Sequence, residues 1–585
     1  LALPRRDAGE AAASLVDTLT RLWGRGTQTM RPIQALAIAD IADYGGAFLP
    51  IVASGGKRLI SYLAPVFAQA KRPLLLVPGK LLEETRRAFW GPGGCYDHWQ
   101  GPPPDTYRIE SYQWLSNPSQ GAVLSADGKH VLREDALELY APDLIFGDEG
   151  HSLKADDSVA RKRVEYYRER CLEKGRRCSF VFASGTFAKE GVTNYAHLLE
   201  WCLGVNAPLP LDAEQRANWC NALDDKVTEP LAPGALLQLC NEKERAAAAF
   251  GLDAAISAAR QGYRRRFHSC PGVVASQNVK PLHMDGDTLR LTFEPLDPGK
   301  GDPTVEKWVG KLKKYALTPT DEPVPDKKEE WRHERALVCA DLHYRWDPPP
   351  PRDWLDTRKA ACAWVRETLR YCDRYAPMID SEAKVWAALQ AGRFDDGGVY
   401  SAWREIAPTF TPNPVPVWHS DEATNAAATY LANNPTGVVW SEHSFFGARL
   451  ARVAGVPYFG ALGRDAAGKF VLDHKGPCVV SRKANYEGRD MQWNWDRALI
   501  MCFPQCPVIS EQMLARIHRD GQRTKTVRFH VWIGSYNVVA GVAQAQRGAK
   551  ANEEREGGAQ RVLYAESSLP SLAELKQRGG SRWKP

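Results

Sequence analysis

Pro142-Asp143-Leu144-Ile145-Phe146-Gly147-Asp148-Glu149-Gly150-His151 decides the fold. Its apolar core is strand-sized and unbroken, with no polar alternation, as in a strand buried on both faces of a parallel sheet. Two adjacent acids and a histidine follow at the carboxyl end, where open α/β sheets gather their functional groups. Asp148 and Glu149 therefore stand where a Mg²⁺ ligand and a water-orienting base belong in a nucleotide site. The plainer alternative is a solvated acidic turn, the usual case for a lone Asp-Glu pair.

Upstream, the apolar run 48–52 is followed by Ala53-Ser54-Gly55-Gly56-Lys57-Arg58 and then a helical pattern over 59–67. Backbone amides of such a turn and the positive helix end bind phosphate oxygens, and Lys57 would neutralise the outer phosphates. The pattern G-x-x-x-x-G-K-[ST] is met only in part. Ile51 stands in place of the first Gly, and Arg58 in place of the hydroxyl residue. Alone, the segment reads as an ordinary strand-to-helix turn. Downstream, the run 180–183 ends in Ser184-Gly185-Thr186, and phosphate loop, acid pair and Ser-Gly-Thr in that order support a nucleotide site.

The runs 48–52, 74–77, 144–146 and 180–183 alternate with helical stretches, which predicts an α/β lobe over 30–209 after an N-terminal extension, 1–29. The runs 438–440, 456–459, 478–480, 498–501 and 527–533 predict a second, over 416–545. The fold class is α/β, with two doubly wound parallel-sheet lobes. Residues 210–415 are too many for a structureless connection and are expected to form a largely helical insert. Its stretch 331–346 is rich in helix formers. In the next segment Trp354, Leu355, Arg358, Ala361, Trp364, Val365, Thr368 and Leu369 recur at helical spacing beyond the breaker Pro348-Pro349-Pro350-Pro351. Trp354 and Trp364 are expected to pack the insert's core, not to stack bases. The polar tail 546–585 is expected to hold a short helix and a frayed end.

The 585 residues are 44% apolar and 25% charged, which excludes global disorder and a single small module. The formal charge, 76 − 70 = +6, excludes a polycation but not a local basic groove. No apolar run reaches membrane-helix length, so no membrane is expected as a partner. Thirteen scattered cysteines without a C-x-x-C pair read as buried free thiols of a reduced intracellular chain, and no zinc site is expected. The chain begins Leu1-Ala2-Leu3-Pro4 without Met, which leaves its natural start and any targeting segment open.

In the second lobe, 511–522 has helical character and places Arg516 and Arg519 three apart, on one face. Two guanidinium groups at that spacing suit a γ-phosphate, whereas a surface helix with paired charges is the plainer reading.

Together these segments resemble a superfamily-two helicase or translocase, nearest the Swi/Snf-type branch and phage-encoded DEAD/DEAH-box DNA helicases. Arg31-Pro32-Ile33-Gln34 resembles the adenine-reading glutamine motif. Leu74-Leu75-Leu76-Val77-Pro78 resembles motif Ia, and Ile109-Glu110-Ser111-Tyr112 the next strand-end motif. Asp148-Glu149-Gly150-His151 resembles the DEAH box and Ser184-Gly185-Thr186 motif III. Val438-Val439-Trp440-Ser441-Glu442-His443 resembles motif IV, 484–492 motif V and 512–522 motif VI.

The resemblance implies two RecA-like lobes with ATP and Mg²⁺ held in the cleft between them. Gln34, Ser54, Gly55, Gly56, Lys57 and Arg58 would line the nucleotide, Asp148 hold Mg²⁺ and Glu149 align water. Arg516, Arg519 and Gln522 would act from the second lobe, while Ser184 and Thr186 couple the cycle to movement. Lys80, Tyr112, Arg482 and Arg489 would grip DNA, duplex or single-stranded. A protein partner would use the insert, and the setting would be the cytoplasm of a bacterial cell, phage-infected or not. Arg58 replaces the hydroxyl that ligates Mg²⁺ in the family, so two readings stand: an ATP-driven DNA translocase, or a helicase-shaped scaffold that binds DNA or a protein without turnover. A nucleotide-dependent switch without a nucleic-acid track is a third reading.

Overall fold

The computed structural model describes all residues except 1–9, 27, 53–54, 117–121, 125–129, 133–135, 155–157, 186, 188–190, 225–230, 277–280, 282, 286, 376–378, 380–381 and 412. The chain forms two compact units, Leu1–Pro281 with Arg547–Leu563, and Leu282–Gln546 with Tyr564–Pro585.

The first unit is built on a five-stranded sheet in the order Ala47–Leu49, Ser179–Ala183, Leu144–Asp148, Pro73–Val77, Arg108–Ser111. Every pairing is parallel. Side chains alternate between its faces. Leu74, Leu76, Ile145, Phe180 and Phe182 join one core with Val164 and Tyr167 of the helix Val159–Glu173. Leu75, Val77, Phe146 and Val181 join the other with Ile38 of Pro32–Tyr44 and Ile60 of Lys57–Phe67. Burial on both faces is why these strands read as unbroken apolar runs.

The second unit carries a seven-stranded sheet in the order Tyr458–Phe459, Cys478–Ser481, Gly437–Ser441, Arg497–Ile500, Thr526–Trp532, Arg290–Leu296, Glu566–Ser567. It too is parallel throughout. The expected pair of doubly wound parallel-sheet lobes is present.

The region 210–415 divides differently from the expectation. The helices Ala213–Leu223, Glu242–Ala248 and Leu252–Ser269 belong to the first unit, where Tyr263 and Phe267 enter the core. Arg290–Leu296 is a strand of the second sheet. Its alternation of buried Leu291 and Phe293 with partly exposed Thr292 and Glu294 hid it among helical segments. The helix expected over 331–346 ends at Ala340, where Asp341 takes φ +57°. Leu342–Trp346 is instead a strand paired antiparallel with Pro414–Trp418. The chain between these strands has its own small core of Ala361, Val365, Val385 and Tyr400. There the helix Arg352–Tyr375 appears as expected, and Trp354 packs against Trp403 with ring centroids 4.7 Å apart.

The tail is ordered, not frayed. The helix Tyr536–Glu556 runs into it from the second lobe, Glu566–Ser567 adds an edge strand, and Arg582 pairs with Glu422. All 13 cysteines are free thiols, ten of them buried. Among the described residues, no helix is long and apolar enough to cross a membrane, and no group of three or more His, Cys, Asp or Glu is placed to hold a metal ion.

Candidate functional site

In the first sheet the strand Ser179–Ala183 lies between Ala47–Leu49, which leads into the phosphate loop, and Leu144–Asp148, which ends in the acid pair, and the lysine and the acids meet at the carboxyl ends of these strands. The helix Lys57–Phe67 starts directly after Gly56, whose φ of +85° suits glycine. Lys57 Nζ donates to Ile51 O at 3.0 Å and lies 3.9 Å from Glu149 Oε1. A Cβ on Gly56 would stand 2.1 Å from Gln34 Nε2, and one on Gly55 2.3 Å from Ile51 Cγ2. Ile51, the departure from the phosphate-loop pattern, thus fills space that Gly55 leaves. A distant segment props the same loop. Phe48 N donates to Gly272 O, Ser276 N to Pro50 O, and Val52 N to Ser276 Oγ at 3.1 Å.

Glu149 is a non-glycine residue at φ +53°, in the sparsely populated left-handed region. Ser184 Oγ donates to its Oε2 at 2.7 Å, and His151 Nδ1 lies 3.3 Å from the same oxygen and 3.1 Å from Ser184 Oγ. Because the Ser184 hydrogen is given to Glu149, His151 must donate from Nδ1. Burial raises the Glu149 carboxyl, but Lys57, His151 and Ser184 together outweigh it and hold the group well below the usual range. The neighbouring Asp148 goes the other way, pushed up to about 6 by burial first and by the Glu149 charge second. Two adjacent carboxyls are thereby driven apart, one kept ionised and one near its titration point.

Other expected residues take positions that redefine their roles. Ser54 and Thr186 lie outside the described residues. Gln34 donates to Gly56 O at 3.0 Å and accepts from Arg31 N at 2.7 Å, so here its amide braces the phosphate loop. Arg58 turns to Glu84 at 3.2 Å, with its side chain 46% exposed. Tyr112 is buried, and its hydroxyl donates to Asp148 O at 2.9 Å. It positions the acid strand, a correction to the expected surface contact with nucleic acid. Lys80 is half-buried in the turn Gly79–Leu81.

In the second unit, the helix expected over 511–522 stops at Leu514, after which Arg516 and Arg519 lie in successive turns. They do not share a helical face. Arg516 is buried, donating to Gln512 O at 2.8 Å and Arg489 O at 3.3 Å. Arg519 is more open and pairs with Asp490 at 2.7 Å. Gln522 is buried, donating to Trp495 O at 2.9 Å and accepting from Arg523 N at 2.8 Å, which makes it a brace for the turn. Arg489 is also buried, donating to Leu462 O and lying over the Phe470 ring, so it too departs from the expected surface role. Arg482 pairs with Glu442 at 2.7 Å, at the end of the strand Gly437–Ser441. Burial raises Glu442, yet Arg482 and Arg335 bring it down to about 2.

The first unit's site fits a phosphate-bearing ligand. A helix of eleven residues begins at the loop, Lys57 supplies the charge, and the acids are recessed but not sealed. For Mg²⁺ the fit is confined to Asp148, with Glu149 beside it; such an ion takes one or two carboxylates and completes its shell with phosphate oxygens and water. The brace His151, the anchor Tyr112, the Arg58 partner Glu84 and the prop Ser276 were not assigned these roles from the sequence. Only the nearness of His151 to the acid pair offered a local signal.

No protein-family profile matches the chain, and no curated protein matches it. Among solved structures it is similar to the Hef helicase domain of Pyrococcus furiosus, at 12% identity over 85% of this chain and 94% of that one, with a TM-score of 0.34.

Proposed function

We propose that the chain is a DNA-dependent ATPase of helicase or translocase type, related to superfamily two. The carrying observation is the ammonium of Lys57, 3.9 Å from a Glu149 that Ser184 and His151 hold ionised at the carboxyl end of a parallel strand. In this reading Lys57 neutralises phosphate charge, and Glu149 orients water and accepts its proton. Mg²⁺ held by Asp148 supplies charge neutralisation to the phosphates. Arg516 and Arg519 of the second unit are assigned to transition-state charge by resemblance. The Swi/Snf-type affinity rests on the ending Arg516-Ile517-His518-Arg519-Asp520-Gly521-Gln522, and the phage affinity on the Trp-rich middle of 210–415. DNA is the proposed track, with Lys80 and Arg482 as its remaining surface candidates, and a bacterial cytoplasm the proposed setting. A protein partner through the insert belongs to the same proposal.

The second reading, a scaffold that binds without turnover, is favoured by two observations: Arg58 at the hydroxyl position and the Gln34 amide spent on the loop itself. Phosphate release by purified full chain, with and without duplex and single-stranded DNA, separates the two. DNA-stimulated release supports the motor. DNA binding with no release selects the scaffold, and release indifferent to DNA selects the nucleotide switch.

A further inference from the structure

We propose that His343 and His419 form a proton-operated clasp at the root of the segment 347–413, closed while both imidazoles are neutral and released when the pair takes up protons. The clasp lies in the second unit and does not depend on the nucleotide reading.

The strands Leu342–Trp346 and Pro414–Trp418 form a two-stranded antiparallel ribbon, and the chain between them carries its own small core. Leu342 pairs with Trp418 and His343 with Val417, so His343 and His419 are diagonal neighbours on one face, at the end of the ribbon away from that core. His419 N donates to Asp341 O at 2.8 Å and extends the ladder by a step. His343 is 1% exposed, and its Nδ1 lies 2.5 Å from His419 Nε2. The ring centroids are 4.7 Å apart, with the planes at 21°. The remainder, 4.7 − 2.5 = 2.2 Å, is about what two nitrogens need to reach their own ring centres, so the rings meet rim to rim along one N–H···N line.

This geometry counts protons. Two neutral imidazoles carry two N–H hydrogens between them. One occupies the contact, and the other sits on an outer nitrogen, His343 Nε2 or His419 Nδ1. A third hydrogen must fill both outer nitrogens, and His343 Nε2 is buried with no hydrogen-bond partner among the described residues. A fourth sets two N–H groups head to head in the contact, with no acceptor left. Each added proton therefore weakens the clasp.

The surroundings oppose charge on the pair. Trp308 of the helix Pro303–Tyr315 lies 5.7 Å from His419, centroid to centroid, and already carries the ammonium groups of Lys307 and Lys311 at 4.8 and 5.2 Å. His333 faces the pair from the helix Lys327–Ala340, and Arg345 from the ribbon itself. The nearby acids are committed elsewhere: Asp341 accepts from Ser420 Oγ, Ala423 N and Thr424 N, and Asp421 pairs with Arg449, which lies over Trp418. Burial first, then His419, His333, Arg345 and Lys311, hold His343 down to about 4, and burial lowers His419 as well. An opened ribbon takes up the proton at the ordinary value of about 6.5, so closure is favoured above that value and is lost as pH falls toward 4.

Hydrogen–deuterium exchange of the full chain at pH 7 and pH 5, corrected for the intrinsic rate and read by mass spectrometry, tests the clasp. Peptides covering 342–346 and 414–419 should lose protection about 20-fold at the lower pH, from the separation of the two titration points, while the strand Gly437–Ser441 of the same unit keeps its own. In the double variant His343→Gln/His419→Gln, whose amides still hydrogen-bond but do not titrate, the ribbon should be equally protected at both pH values. A wild-type ribbon indifferent to pH, a loss shared equally by Gly437–Ser441, or a loss that persists in the double variant overturns the proposal. Should that variant not fold, nitrogen-15 signals of the wild-type imidazoles decide. Protection lost at the pH where His343 takes up its proton supports the clasp, and protection lost while His343 is still neutral overturns it.

Discussion

Replacing Ser184 by Ala tests the central network directly. Ser184 is fully buried, and its hydroxyl is the closest donor to Glu149, at 2.7 Å, while also lying 3.1 Å from His151 Nδ1. The substitution removes a hydrogen bond to a charged acceptor, worth about 1.5–3 kcal/mol, and leaves no new polar atom behind. Glu149 keeps Lys57 at 3.9 Å and His151 at 3.3 Å, so the loss is partial. The same free energy corresponds to an upward release of the Glu149 carboxyl by about 1–2 pKa units. At about 2–4 °C per kcal/mol for domains of this general size, calorimetry should show a melting transition lowered by about 3–12 °C. A double-mutant cycle with Glu149→Gln isolates the pair, and the expected coupling is about 1 kcal/mol or more. Additivity within about 0.5 kcal/mol would show that the two side chains do not depend on each other, and would refute the account of how Glu149 is held ionised.

Lys57→Ala should weaken ATP binding about tenfold or more, since a charge-assisted phosphate contact is worth about 1.5–3 kcal/mol; equal affinities by titration calorimetry would remove Lys57 from the site. Arg58→Thr should raise DNA-stimulated phosphate release, and adding Arg519→Ala should abolish the gain, an effect of about 10³-fold in related phosphoryl transfers; robust wild-type hydrolysis unchanged by Arg58→Thr would show that the loop is divergent without being impaired. Gly56→Ala should disrupt the loop, because its Cβ would stand 2.1 Å from Gln34 Nε2 at a φ of +85°; nucleotide affinity equal to wild type would contradict the bracing role of Gln34. His197 is buried with Nε2 3.0 Å from Leu153 O, and burial first, then Arg161, push it down to about 3. The unfolded chain therefore takes up the proton first, so this stability is present above about pH 6.5 and is lost as pH falls toward 3, at up to about 1.4 kcal/mol per pH unit. His197→Gln should flatten the fall in melting temperature between pH 6 and 4, and an unaltered slope would assign the acid sensitivity elsewhere.

Features encoded in neighbouring residues were legible from the order of amino acids alone. Two-faced burial requires unbroken apolar runs, so local patterning was enough to place the strands at 74–77, 144–146 and 180–183 and their second-lobe counterparts. The succession of phosphate loop, acid pair and serine strand was legible for the same reason. The half-buried strand Arg290–Leu296 was not, because alternation over so short a stretch is weak beside surrounding helical patterns. Nor was the end of the helix at Leu514, since Ala515 to Gln522 are compatible with helix and only tertiary bracing by Arg516 and Gln522 holds them as turns. Folding in three dimensions settled which charges and hydroxyls meet: Arg58 with Glu84, Tyr112 with Asp148 O, and Ser276 with Val52. Those pairings follow from strand order and from where the helices lie on the sheet. Most of them join residues distant in the chain, and no local periodicity records any of them.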